Sequence, residues 1–184
     1  KLNFLKVVEE AILGGVDIVQ LREKHLGAED YLSRALQVKA VTDRYNVPLI
    51  INDSLDVAQK VNAFGIHVGN TDIAPTAIRE RWECCQSIGY SIEYLAQLQN
   101  KETMAADCLG ISPVFSTPTK SNTVTEWGLE GIREIRKLTS KPLIAIGGMN
   151  ISNVRQVMKA GADCIAVVSA VCAADDPREA AYNL

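Results

Sequence analysis

Hydrophobic and polar positions along this chain follow two alternating patterns. Short runs rich in Val, Ile and Leu recur at residues 16–23 (VDIVQLRE), 47–53 (VPLIIND), 65–69 (GIHVG) and 86–91 (QSIGYS). They return at 108–115 (CLGISPVF), 141–148 (KPLIAIGG) and 163–170 (DCIAVVSA). Each is apolar at successive positions, as strands buried on both faces are. Between them, as over 30–45, 92–106 and 151–160, apolar residues return every three or four positions, the period of an amphipathic helix. Further helices are expected to begin near Ser54 and at Ala74 or Pro75.

Repeated strand–helix alternation predicts a parallel sheet with right-handed crossovers. The pattern gives seven strands and eight helices, the first helix spanning 4–13 ahead of any strand. The expected fold is therefore an α/β (β/α)8 TIM barrel with its first strand missing from this chain, in one domain over residues 1–184. An open seven-stranded α/β sheet is the alternative.

Composition narrows the class. A formal net charge of −3 over 184 residues lacks the basic excess of a general nucleic-acid binder. No apolar run approaches the roughly 20 residues that span a bilayer. The five cysteines are odd in number and show no CxxC spacing, so neither a disulfide framework nor a zinc site is expected. Cys108 and Cys164 open strands and read as small buried residues, and a reducing, cytoplasmic setting fits. Nucleic-acid and membrane partners are not expected; self-association into a homo-oligomer is left open.

In a barrel of this kind chemistry collects at the carboxyl ends of the strands. Those ends carry Gln20, Arg22 and Lys24; Asn52 and Asp53; His67, Asn70 and Asp72; and Ser91. The fifth run empties into Ser116, Thr117, Thr119, Lys120 and Ser121, the sixth into Gly147–Gly148, and the seventh into Val168–Ser169. Arg22 and Lys24 alternate with Glu23, so they project together; with Lys120 they form a cationic mouth suited to a pyrophosphate, unless the first two are a solvated rim pair. Asp53 and Asp72 have the chemistry to hold Mg2+, which takes few protein carboxylates. Each has a competing local role as a helix cap. The Gly147–Gly148 turn and a helix start at Ile151 suit an anion, or only a turn that needs positive φ. His67 reads as a hydrogen-bonded residue of the barrel interior. Trp127 is expected to be partly exposed or to close over the site.

The segments QLREK, IND, GIHVGNTD, SIGYS, PVFSTPTK, AIGGM and GADCIAVVSAV, in this order and spacing, resemble thiamine-phosphate synthases from residue 16 to 171. The resemblance implies a transferase of thiamine biosynthesis with two phosphorylated small-molecule substrates and Mg2+. Such an enzyme joins 4-amino-5-hydroxymethyl-2-methylpyrimidine diphosphate to 4-methyl-5-(2-phosphoethyl)thiazole by a dissociative mechanism and releases diphosphate. It further implies that Arg22, Lys24, Asn52 and Lys120 hold the diphosphate, with Arg22, Lys24 and Lys120 catalytic, and that Asp53 and Asp72 bind the metal. Gln20 and Ser91 would complete the pyrimidine-diphosphate pocket. Thr117, Thr119 and the amides near Gly148, Val168 and Ser169 would receive the thiazole phosphate. Three positions depart from the family pattern: Asn70–Thr71 stand where Gln-Glu is usual, and Ser116 replaces a proline. The related thiazole tautomerase is the nearest rival, though it is expected to lack the TPTK lysine. A regulatory barrel that binds phosphorylated ligands without turnover is the other.

Overall fold

Seven parallel strands pair in strict sequence order in the computed structural model, which describes residues 3–117 and 125–184. The strands are β1 (Val19–Leu21), β2 (Leu49–Asn52), β3 (Gly65–Val68), β4 (Ser87–Ile92), β5 (Cys108–Ile111), β6 (Leu143–Ile146) and β7 (Cys164–Ala166). Helices α1 (Phe4–Leu13), α2 (Ala28–Arg44), α3 (Leu55–Lys60), α4 (Pro75–Arg81) and α5 (Lys101–Ala105) alternate with them. They are followed by α6 (Gly128–Leu138), α7 (Val154–Ala160), α8 (Ser169–Cys172) and α9 (Pro177–Tyr182). This is a TIM-barrel-like parallel α/β fold whose sheet edges are β1 and β7.

Every residue of β2 and β3 is buried, as expected of strands covered on both faces. The apolar core joins Leu49, Ile51, Ile66, Ile88, Leu109 and Leu143 of the sheet to Ile78, Ile132 and Ile135 of the helices. In α2 the buried positions Tyr31, Ala35, Val38 and Thr42 form one stripe at helical spacing. Glu29 and Asp30 in its first turn and Arg44 in its last complement the helix dipole.

Several expectations change. The helix expected over 92–106 is a strand residue, Ile92, then a 3-10 helix, Leu95–Gln99, then α5. Asn100 breaks it: its backbone is extended and its side chain accepts from the Thr103 amide at 2.7 Å, starting a new helix. The run 108–115 leaves the ladder after Ile111, where Pro113 has no N–H to donate, and re-pairs through Val114 N to the Ile146 carbonyl at 2.8 Å. Nine α-helices, not eight, lie among the described residues. Cys164 is exposed and Cys108 only half-buried, contrary to expectation, because Cys164 lies on β7, paired on one side only. Trp127 is buried at the start of α6 with its ring against Gly131, so the expected partial exposure is not found. All five thiols are free.

Candidate active site

Three successive strand ends deliver the charged groups. Beyond β1, Glu23 accepts from Arg34 of α2 at 2.8 Å, while Lys24 reaches the Asp53 carboxylate after β2. The Asp72 carboxyl, after β3, lies within hydrogen-bonding reach of Asp53. Its Oδ2 also accepts from the Gly69 amide at 2.8 Å, which folds the β3–α4 turn back on the strand end.

Both carboxylates are released from the competing role of helix cap. Ser54 caps α3, its hydroxyl accepting from Val57 N at 3.3 Å, while Asp53 sits before it at φ 63°. The residue at the cap of α4 is Ala74, which makes no side-chain bond. Burial raises the Asp53 pKa; Lys24 pulls it down, and nearby Asp72 pushes it up again, leaving it above the ordinary aspartate value. Among the described residues no cluster of three or more His, Cys, Asp or Glu side chains is placed to hold a metal. Two neighbouring carboxylates, Asp53 and Asp72, could hold a hard cation, which takes few protein oxygens and keeps water ligands.

Tyr31, which sequence reasoning missed, ties two of these ends together. Its hydroxyl lies 3.0 Å from the Leu21 carbonyl and 2.9 Å from that of Asn52. Burial pushes the phenol pKa up to about 12, so it stays a donor. The only available signal was a tyrosine on the inner stripe of α2, which reads equally well as core.

Below the charged rim the interior is polar and tightly filled. Asn52, His67 and Ser91 are all buried. Gln20 and Arg22 are exposed at the β1 edge. Asn70, the family departure, accepts from the Tyr90 hydroxyl at 2.6 Å and also from the Gln97 side chain. That contact links the β3 and β4 loops without the usual Gln-Glu pair.

Gly147 and Gly148 adopt φ 96° and 68°, so the positive-φ reading of this turn holds. A Cβ on Gly148 would stand 2.7 Å from that of Phe115, and one on Gly147 would stand 3.3 Å from Thr117 Cγ2. The β6 turn is thus pressed against the start of the hydroxyl-rich loop. The helix expected at Ile151 begins later, at Val154, because Asn150 and Asn153 first build a turn. Val168 and Ser169 open the short α8. Thr119 and Lys120 lie outside the described residues. Their flanks are fixed: Thr117 sits at Gly147, and the Thr125 hydroxyl donates to the Glu93 carbonyl at 3.0 Å.

A TIM-barrel-like sheet with cations, carboxylates and tight glycine turns at the carboxyl ends of its strands defines an enzyme acting on small molecules. Its family follows from sequence relatives. The family described as thiamine monophosphate synthase matches residues 1–171, and the chain belongs to it. It is 47% identical to the thiamine-phosphate synthase of Albidiferax ferrireducens, over 97% of this chain and 81% of that protein. With that of Vibrio campbellii the identity is 43%, over 97% and 88%. The solved thiamine phosphate pyrophosphorylase from Pyrococcus furiosus superposes with a TM-score of 0.88 at 33% identity, covering 98% of this chain and 87% of that one. A 3-hexulose-6-phosphate synthase, 18% identical with a TM-score of 0.71 over 97% of this chain and 90% of its own, shares the fold alone. No helix among the described residues is long and apolar enough to cross a membrane.

Proposed function

We propose that this chain is a thiamine-phosphate synthase that transfers the aminopyrimidinylmethyl group from its diphosphate to the thiazole phosphate. The observation that carries the reading is the convergence of Lys24, Asp53 and Asp72 from three successive strand ends, with neither carboxylate spent on a helix cap. The parallel, in-order sheet is read as part of a (β/α)8 barrel, whose carboxyl end is the expected place for such a site.

In this reading Arg22, Lys24, Asn52 and Lys120 hold the diphosphate, and Gln20 and Ser91 complete the pyrimidine-diphosphate pocket. Asp53 and Asp72 would hold Mg2+, which when bound supplies positive charge to the diphosphate oxygens. The methylene carbon–oxygen bond breaks with its electron pair leaving on diphosphate, and the thiazole nitrogen lone pair then forms the new carbon–nitrogen bond. Negative charge grows on the departing group, so preorganised cations lower the barrier more than they strengthen ground-state binding. Removing one should cost about 3 kcal/mol, as with other preorganised donors. Thr117, Thr119 and the amides near Gly148, Val168 and Ser169 would receive the thiazole phosphate. The hydroxyl–lysine loop would then touch both substrates. No strong base is needed, because the thiazole nitrogen is already nucleophilic.

The test is an end-point mass-spectrometric assay with both substrates, with and without Mg2+, on the wild type and Lys120→Ala. Magnesium-dependent thiamine phosphate that falls sharply in the variant is expected. A folded protein that binds both substrates yet forms no product would overturn the reading.

A further inference from the structure

We propose that His67 is a positioning residue for Ser91. Its ring Nε2–H donates to the serine oxygen and so leaves the serine's own proton to be given to an oxygen of the anionic substrate. The proposal rests on the synthase reading above for the substrate, and on independent geometry for the pair.

His67 is the third residue of β3 and Ser91 the fifth of β4; they are 7% and 8% exposed, and Nε2 stands 2.9 Å from Oγ. The imidazole lies in a slot built by two glycines. A Cβ on Gly89, its register partner on β4, would stand 2.4 Å from Nδ1, and one on Gly110 of β5 would stand 2.8 Å from Cε1. Gly110 is in turn the register partner of Ser91. Any larger residue at either position would drive the ring out of reach of the serine. Two strands have therefore given up side chains so that one ring from a third can reach across them.

A serine hydroxyl has one proton and rotates freely unless a neighbour fixes it. With nothing else settled, that proton can turn to the imidazole and present only lone pairs to an anion. A ring N–H at Oγ removes that option. The benefit is preorganisation, which matters most where charge develops on the substrate. A core histidine filling space would not require two glycines opposite it and a short bond to a serine near the carboxyl end of β4.

The test compares His67→Gln, His67→Met, Ser91→Ala and the double variant His67→Met/Ser91→Ala, all checked by thermal melting. Glutamine keeps an N–H near the Nε2 position; methionine keeps the bulk alone. Losing one aligned hydrogen bond should lower kcat in His67→Met by roughly ten-fold, with KM for the thiazole phosphate unchanged. His67→Gln should recover most of the loss. The double variant should be no slower than Ser91→Ala, because the histidine's part in turnover is to orient the serine. Equal loss in the glutamine and methionine variants, or additive losses in the double variant, would overturn the proposal. Calorimetry with inorganic diphosphate separates the two readings. Should the wild type make no product, the synthase reading falls. The pair is then judged on diphosphate binding: His67→Met should weaken it no more than Ser91→Ala does, and the double variant should match Ser91→Ala. A double variant weaker than Ser91→Ala, or no binding to the wild type, would end it.

Discussion

Asp53 and Asp72 face one another across the ends of β2 and β3, and Lys24 closes on the first of them from β1. Burial and the second carboxylate together outweigh the lysine, so Asp53 holds its proton more tightly when folded than when unfolded. Its contribution to stability is full below the ordinary aspartate value of about 3.9 and is lost as pH rises through the raised folded value. In chelator, the melting temperature of Asp53→Asn relative to wild type should climb over that mildly acid window and level off above it. A difference that stays flat, or falls, would contradict the raised pKa. Asparagine suits the comparison because it tolerates the φ of 63° found here.

Ser54 and Asp53 are adjacent but have separate tasks. Ser54→Ala should cost about 1 kcal/mol of stability through the lost cap on α3, with turnover per folded molecule little changed. Asp53→Asn should do the reverse, abolishing Mg2+-dependent product without the loss of stability in urea that a missing cap brings. Should Asp53→Asn instead destabilise as a lost cap does, the metal role would fail.

Tyr31→Phe removes the one hydroxyl that spans the Leu21 and Asn52 carbonyls. A loss of about 1 kcal/mol is expected from urea titration. Because those carbonyls lie just before the Arg22–Lys24 and Asp53 segments, KM for the pyrimidine diphosphate should rise while that for the thiazole phosphate holds. Equal effects on both substrates would mean a general loosening of the fold.

Gly148→Ala places a methyl group 2.7 Å from Phe115 Cβ at a φ of 68°. Strain of this kind costs about 1–3 kcal/mol. The turn presses on the hydroxyl loop, so KM for the thiazole phosphate should rise more than that for the diphosphate. Full activity and an unchanged melting temperature would show that the turn has no part in the site.

The parallel sheet was legible because β2, β3 and their neighbours are apolar at successive positions, a pattern that only strands covered on both faces require. Gly147–Gly148 were legible as a turn for an equally local reason. The split of 92–106 was not, because apolar spacing carries through Asn100, whose extended backbone and side-chain bond to Thr103 start a separate helix. Nor was the exposure of Cys164, which depends on β7 having a neighbour on one side alone.

The sequence by itself determined which polar residues stand at strand ends, since that follows from where each apolar run stops. It could not choose between cap and ligand for Asp53 and Asp72, because both roles use the same residue type at the same place. Only the tertiary structure decided that. Ser54 takes one cap, Asp72 turns back to Gly69, and parallel pairing of β1, β2 and β3 brings Lys24, Asp53 and Asp72 together. The His67–Ser91 contact has the same origin. Its bond and its glycine slot span three strands and exist only once their register is set.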